Sequence, residues 1–166
     1  MKNWQLLALA PAVAAAILAA AGSARPSAAP SIEGTYVLEY RELPDGKRLQ
    51  APDIGGLFTA TKTHRNFNVF WKEKGKTTSI SIMSKYTLTE KEFTEENVFF
   101  CTGDEGSGKA PTYDTSSTKG SSPVTIKGDR IEWKMPLHDE PSVVFDKTSL
   151  TATRKDAFVD HWKKVN

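Results

Sequence analysis

From Ile32 onward the chain is built of short runs of Val, Ile, Phe, Tyr, Trp and Thr, broken at intervals by Pro, Gly, Asp and Asn. Side chains alternate across a strand with a period of two, so such runs suit strands and the breaks suit hairpin turns. Gly34–Leu43 sets Tyr36, Leu38 and Tyr40 against Thr35, Glu39 and Arg41. Pro44-Asp45-Gly46-Lys47 then turns the chain, because Pro presets φ and Gly accepts positive φ. Gly56–Thr63 and Asn66–Glu73 follow a looser stretch at 48–54, and Glu73-Lys74-Gly75-Lys76 closes another hairpin. Thr78–Leu88 is the clearest alternation, with Ile80, Ile82, Ser84, Tyr86 and Leu88 on one face. Phe93–Thr102, Val124–Lys127, Arg130–Met135, Ser142–Asp146 and Leu150–Arg154 complete the set. About nine strands at roughly ten-residue spacing, with no helical period between them, predict an all-β fold: an antiparallel barrel or sandwich. A closed up-and-down barrel removes exposed strand edges, and one of about 8–9 strands leaves an interior able to hold one small ligand.

Two segments fall outside the strand pattern. Asp156–Val165 reads as a C-terminal α-helix: Asp156 can cap it, and Phe158, Val159, Trp162 and Val165 fall at i, i+1, i+4 and i+7. Lys155, Asp160, Lys163 and Lys164 would cover its outer face. Residues 103–123, rich in Gly, Ser and Thr, read as a mobile loop in which Tyr113 is the one side chain able to pin it.

Composition narrows the function classes. The 166 residues suit one domain, and a net charge of +2 with interleaved signs gives no single-sign field to hold a nucleic acid. A lone cysteine, Cys101, excludes an internal disulfide and a thiolate zinc cluster, and its apolar VFFC setting suits a buried, inert thiol. At the start, Lys2 precedes an uncharged Ala-rich run that ends before Arg25. A basic n-region, an apolar h-region and small residues at its end describe a secretory signal peptide, cleaved after Ala24 or Ala21. No Cys follows directly, so lipid attachment there is not expected. Residues 1–24 are thus the expected signal, 25–31 a tether and 32–166 the barrel domain, exported to the periplasm or the medium with no remaining membrane anchor.

The layout resembles the lipocalin-like barrels of bacteria. The carrying features are Gly34-Thr35-Tyr36 at the first strand, the succession of hairpin strands, Arg154 near the end of the last strand and a helix directly after it. In lipocalins a Gly-x-Trp pair opens the first strand and a late basic residue packs across the ring. The resemblance therefore implies a calycin-type barrel, with Tyr36 in the place of Trp and Arg154 across it.

The most distinctive string is His64-Arg65-Asn66-Phe67-Asn68-Val69-Phe70-Trp71. On a strand, His64, Asn66, Asn68 and Phe70 share one face, and Arg65, Phe67, Val69 and Trp71 the other. If the polar face points inward, Asn66 and Asn68 are buried amides that need a partner or a ligand. If it points outward, the apolar face is core and the amides meet water. Tyr40 and Tyr86 join His64, Asn66, Asn68 and Phe70 as candidate ligand-binding residues; Tyr36, Phe99, Trp133 and Phe145 either line a cavity or fill the core. Arg41 and Glu39 read as a solvated surface pair, and Glu90, Glu92, Glu95 and Glu96 as a solvated acidic face. His64, His138 and His161 are dispersed, without metal-ligand spacing, and no nucleophile elbow or phosphate-binding loop occurs. No metal, catalytic residue or cofactor is expected.

The leading expectation is an exported protein that binds a small, mostly apolar molecule in its barrel. Two others stand beside it: an isomerase- or lyase-type barrel enzyme using His64 or Tyr86 as acid/base, and a protein-binding or inhibitor module acting through 103–123.

Overall fold

The computed structural model describes residues 29–165. The expected signal segment and the first part of the tether lie outside the described residues. The described chain is all-β: β1 (Gly34–Glu42), β2 (Arg48–Leu49), β3 (Ile54–Ala60), β4 (His64–Glu73), β5 (Lys76–Leu88), β6 (Glu92–Asp104), a 3-10 turn (Glu105–Ser107), β7 (Thr112–Asp114), β8 (Lys119–Pro123), β9 (Thr125–Lys127), β10 (Arg130–Lys134), β11 (Ser142–Phe145), β12 (Ser149–Arg154) and β13 (Phe158–Lys164). These thirteen strands, rather than eight or nine, form one antiparallel sheet in the order β7-β6-β5-β4-β3-β1-β13-β12-β11-β10-β9, with β2 on β1 and β8 on β6. The sheet curls into a half-barrel. Pairing of β1 with β13 joins the first and last strands of the described residues, and β8 at one end of the sheet touches β10 near the other. Gly120 of β8 lies so close to Pro136 and Leu137 that a Cβ there would sit 2.9 Å from each.

The C-terminal segment is a strand, not the expected helix. Phe158 and Trp162 are four apart, a spacing that serves one face of a helix and one face of a strand alike. Asp156 takes φ 58 in a tight turn, and β13 then fills the gap between β1 and β12, where both its edges are hydrogen-bonded. Asp160 faces inward with Phe158 and Trp162, a placement the helical reading had reversed. Residues 103–123 are also not structureless: β6 runs on to Asp104, and β7 and β8 pair with it. Asn97, not the exposed Tyr113, pins this segment. Its side-chain amide donates to the carbonyls of Asp114 (3.3 Å) and Ser116 (2.9 Å), and its backbone N–H donates to Thr118 O at 2.8 Å.

Two β-bulges decide which side chains face inward. In β1, Leu38 pairs with Trp162 and Tyr40 with His161, leaving Glu39 as an extra residue. In β6, Phe99 pairs with Met83 and Asn97 with Ser84, leaving Val98 extra. Each extra residue shifts the alternation by one. Tyr36, Leu38 and Arg41 therefore all face inward, as do Phe93, Glu95, Asn97 and Phe100. The expected surface placement of Arg41 fails for this reason, and that of Glu95 fails because plain alternation already sets it on the inward face with Phe93; both are buried.

One end of the interior is filled with rings. Tyr36, Phe58 and Phe145 meet at centroid distances of 5.5–5.7 Å, Trp133 stacks on Phe145 at 5.2 Å, and Phe93 stacks on Trp133 at 4.8 Å. Trp162 crosses over Gly56, where an added Cβ would lie 2.6 Å from the indole. The basic group over the Tyr36 ring is Lys164, its cross-strand neighbour, at 5.5 Å; Arg154 instead pairs with Asp139 at the surface.

Candidate functional site

The other end of the interior is open. A cavity of about 590 Å³ lies between β1, β4, β5, β6, β13 and the turn at 138–141. Its wall is apolar where β4 and β5 pair, since Phe67 faces Ile82, Val69 faces Ile80 and both pairs point inward. Trp71, Phe100 and Phe158 add aromatic rings, and exposed Lys72, Lys74, Asp139 and Arg154 stand at the mouth.

Two buried charge clusters interrupt this wall. Arg41 and Asp160, 5% and 2% exposed, are directly paired across β1 and β13. Arg41 Nε donates to Asp160 Oδ1 at 2.6 Å and Nη2 to Oδ2 at 2.8 Å, a bidentate pair. The guanidinium also lies 3.9 Å from the Phe158 ring centroid and 4.7 Å from that of Trp71. Burial raises the Asp160 pKa in spite of Arg41.

The second cluster centres on Arg65, which projects inward from β4 among Phe67, Val69 and Trp71. Its Nε donates to Glu95 Oε1 at 2.7 Å, and its Nη2 donates to the same oxygen and to both oxygens of Glu140, at 2.7 and 3.0 Å. Glu140 lines the cavity; Arg65 and Glu95 stand beyond it with almost no exposed surface. Burial works against the Arg65 charge, and Glu140 and Glu95 outweigh it. Burial pushes Glu140 up to about 7, opposed by Arg65 and reinforced by the like charge of Glu95. The turn that carries Glu140 holds His138 and Asp139 at φ 52, in the left-handed region. His138 stacks on Phe100 at 4.1 Å, its Nε2 lies 3.1 Å from Asn97 Oδ1, and burial lowers its pKa, so the ring is neutral at pH 7.

None of the six sequence-derived candidates lines this cavity. His64, Asn66, Asn68 and Phe70 occupy the outward face of β4, the second of the two orientations the string allows, and Asn68 Nδ2 donates to Asn66 Oδ1 at 2.9 Å. Asn68 and Phe70 border a shallow outer depression with Gly55, Leu57, Ser79 and Ser81. Tyr40, turned outward by the Glu39 bulge, stacks on His161 at 4.4 Å beneath Arg48. His64 and Tyr86 border one open groove beside β8. There the Tyr86 hydroxyl donates to the Thr61 carbonyl, and burial pushes its pKa up to about 12. Cys101 is half-buried and free. Among the described residues no group of three or more His, Cys, Asp and Glu side chains could hold a metal.

The residues that do shape the site are Arg41, Arg65, Glu95, His138, Glu140 and Asp160. Arg65 carried a legible signal, since it alternates in register with three apolar residues and a charge on an apolar face needs a buried partner. The partners come from strands far away in sequence, and no local pattern names them. No family model matches the chain, and neither a curated protein nor a solved structure matches it.

Proposed function

We propose that the protein is an exported carrier that holds one small, mostly apolar molecule non-covalently in the cavity. The observation that carries this reading is about 590 Å³ of unfilled space bordered by Phe67, Val69, Trp71, Ile80 and Ile82, in a sheet whose other end is close-packed with rings. Protein interiors rarely leave such a space, and pockets for small ligands are mostly apolar with a few placed polar groups. Burying ligand carbon at roughly 25 cal/mol per Å² supplies the affinity. A lipocalin-like assignment accords with this: a curled antiparallel sheet, a Gly34-x-Tyr36 opening and a basic residue over the Tyr36 ring, here Lys164.

A fluorescence titration with 1-N-phenylnaphthylamine, a neutral apolar dye, tests the reading. Ile80 is half-buried, lines the cavity and is a member of neither charge cluster, so Ile80→Trp is designed to fill space with the ion-pairing residues unaltered. Saturable one-to-one uptake by the wild-type chain and a loss of at least roughly tenfold in Ile80→Trp, more than 1.4 kcal/mol of lost contact, are expected. No uptake by the wild-type chain, or equal uptake by both, removes the reading.

A further inference from the structure

The charges along the cavity do not balance, and the sign of the remainder selects among apolar ligands. Arg41 is neutralised by Asp160 through two hydrogen bonds and has no charge left for a ligand. Arg65 faces two carboxylates, Glu95 and Glu140, so this cluster has one acid in excess. Glu95 is enclosed behind the wall; Glu140 is the member that borders the cavity. Its own turn adds His138, which is neutral, and Asp139, which is exposed and paired with Arg154. Across the cavity stand Arg41 and Asp160, and at the mouth Lys72, Glu73 and Lys74 are exposed to solvent. The same cluster holds three buried polar atoms with no partner: Glu95 Oε2, an acceptor; the Ser84 hydroxyl, which can donate or accept; and Arg65 Nη1, a donor on a guanidinium already outnumbered. Register sets Ser84 between Arg65 and Asn97, so these atoms form one polar end of the interior.

We propose that the ligand is a cationic amphiphile: an apolar body against the Phe67–Ile82 and Val69–Ile80 pairs, and one protonated amino group that pairs with the Glu140 carboxylate. The proposal rests on the carrier reading above and adds the charge of the ligand to it. An ammonium replaces the missing counter-charge, and the rings of Trp71, Phe100 and Phe158 tolerate a cation beside them. A carboxylate ligand would meet two neutralised guanidiniums and a like charge. An alcohol would leave the excess acid without a counter-ion.

Calorimetric titration of the full chain with decylamine, decanol and decanoate at pH 8 separates the classes. Decylamine is expected to bind roughly ten- to a hundredfold more tightly than decanol, the range of a charge-assisted hydrogen bond, with decanoate weakest. Glu140→Gln leaves Arg65 in a one-to-one pair with Glu95, so the fold keeps its buried guanidinium satisfied. In this variant the ratio of decylamine to decanol affinity should fall to about one. Between pH 8 and pH 6 the amine stays protonated while Glu140 takes up a proton, so wild-type affinity for decylamine should fall roughly tenfold and the variant's should not. Decanol or decanoate binding the wild type as tightly as decylamine overturns the charge assignment and leaves the carrier reading standing. Persistence of the amine preference in Glu140→Gln overturns it equally. Failure of all three probes to bind the wild type removes the carrier reading, and the assignment with it.

Discussion

Glu140 shares a single guanidinium nitrogen with Glu95, and that arrangement ties the stability of the protein to pH. Its folded pKa, about 7, lies above the ordinary carboxylate value, so between those two pH values the folded chain binds more protons than the unfolded one. The stabilisation is fully present below the unfolded pKa and is lost as pH rises through the folded one. Urea unfolding at pH 5, 6, 7 and 8 is therefore expected to show stability falling across this range, on the order of 3 kcal/mol in all from this group. Glu140→Gln should flatten the dependence; an unchanged slope in the variant would refute the coupling. Arg41 makes a different prediction. Arg41→Ala leaves Asp160 buried without its partner and is expected to cost about 3–5 kcal/mol in urea unfolding, whereas Arg41→Met with Asp160→Leu should cost much less than the two single changes together. A double variant as damaged as the sum would show the pair contributing nothing jointly.

At the scale of the element, the packing of β13 on β3 depends on a bare backbone. The Trp162 ring occupies the space a Cβ of Gly56 would need, with a backbone oxygen of Asn68 3.0 Å away on the same side. Gly56→Ala is expected to lower stability by about 1–3 kcal/mol by overpacking, measured as a fall in Tm; an unchanged Tm would mean the indole moves aside freely. The hairpin strands themselves were legible from Tyr36–Leu38 and Ile80–Tyr86, because alternation and turn residues are local properties of the chain. The last strand was not, because Phe158 and Trp162 satisfy both periods and Asp160 looks like solvated surface until Arg41 is seen opposite it. Nor were the bulges at Glu39 and Val98, which arise from how two strands meet rather than from either one. Each reverses the facing of everything beyond it, so Arg41 reads as surface in the sequence and is core in the fold, whereas Glu95 is core by plain alternation with Phe93 and only its acidic neighbours made it read as surface. The facing of β4 stayed open in the sequence for a related reason: the string shows two faces clearly, but which one meets the interior depends on β3 and β5.

At the scale of the whole molecule, the interior is divided into a ring-filled end and an unfilled one. The first supplies packing that this single-cysteine chain cannot obtain from an internal disulfide, and the second is free to hold a guest. The proposed carrier role predicts a guest retained through isolation, and a guest that binds only the folded chain raises its stability. Native mass spectrometry of the protein isolated from the cells that make it, before and after solvent extraction, tests this most directly. The expected result is one small-molecule adduct per chain that extraction removes, with the extracted chain unfolding at lower temperature. A chain of bare mass before extraction, with the same unfolding temperature after it, would contradict the account.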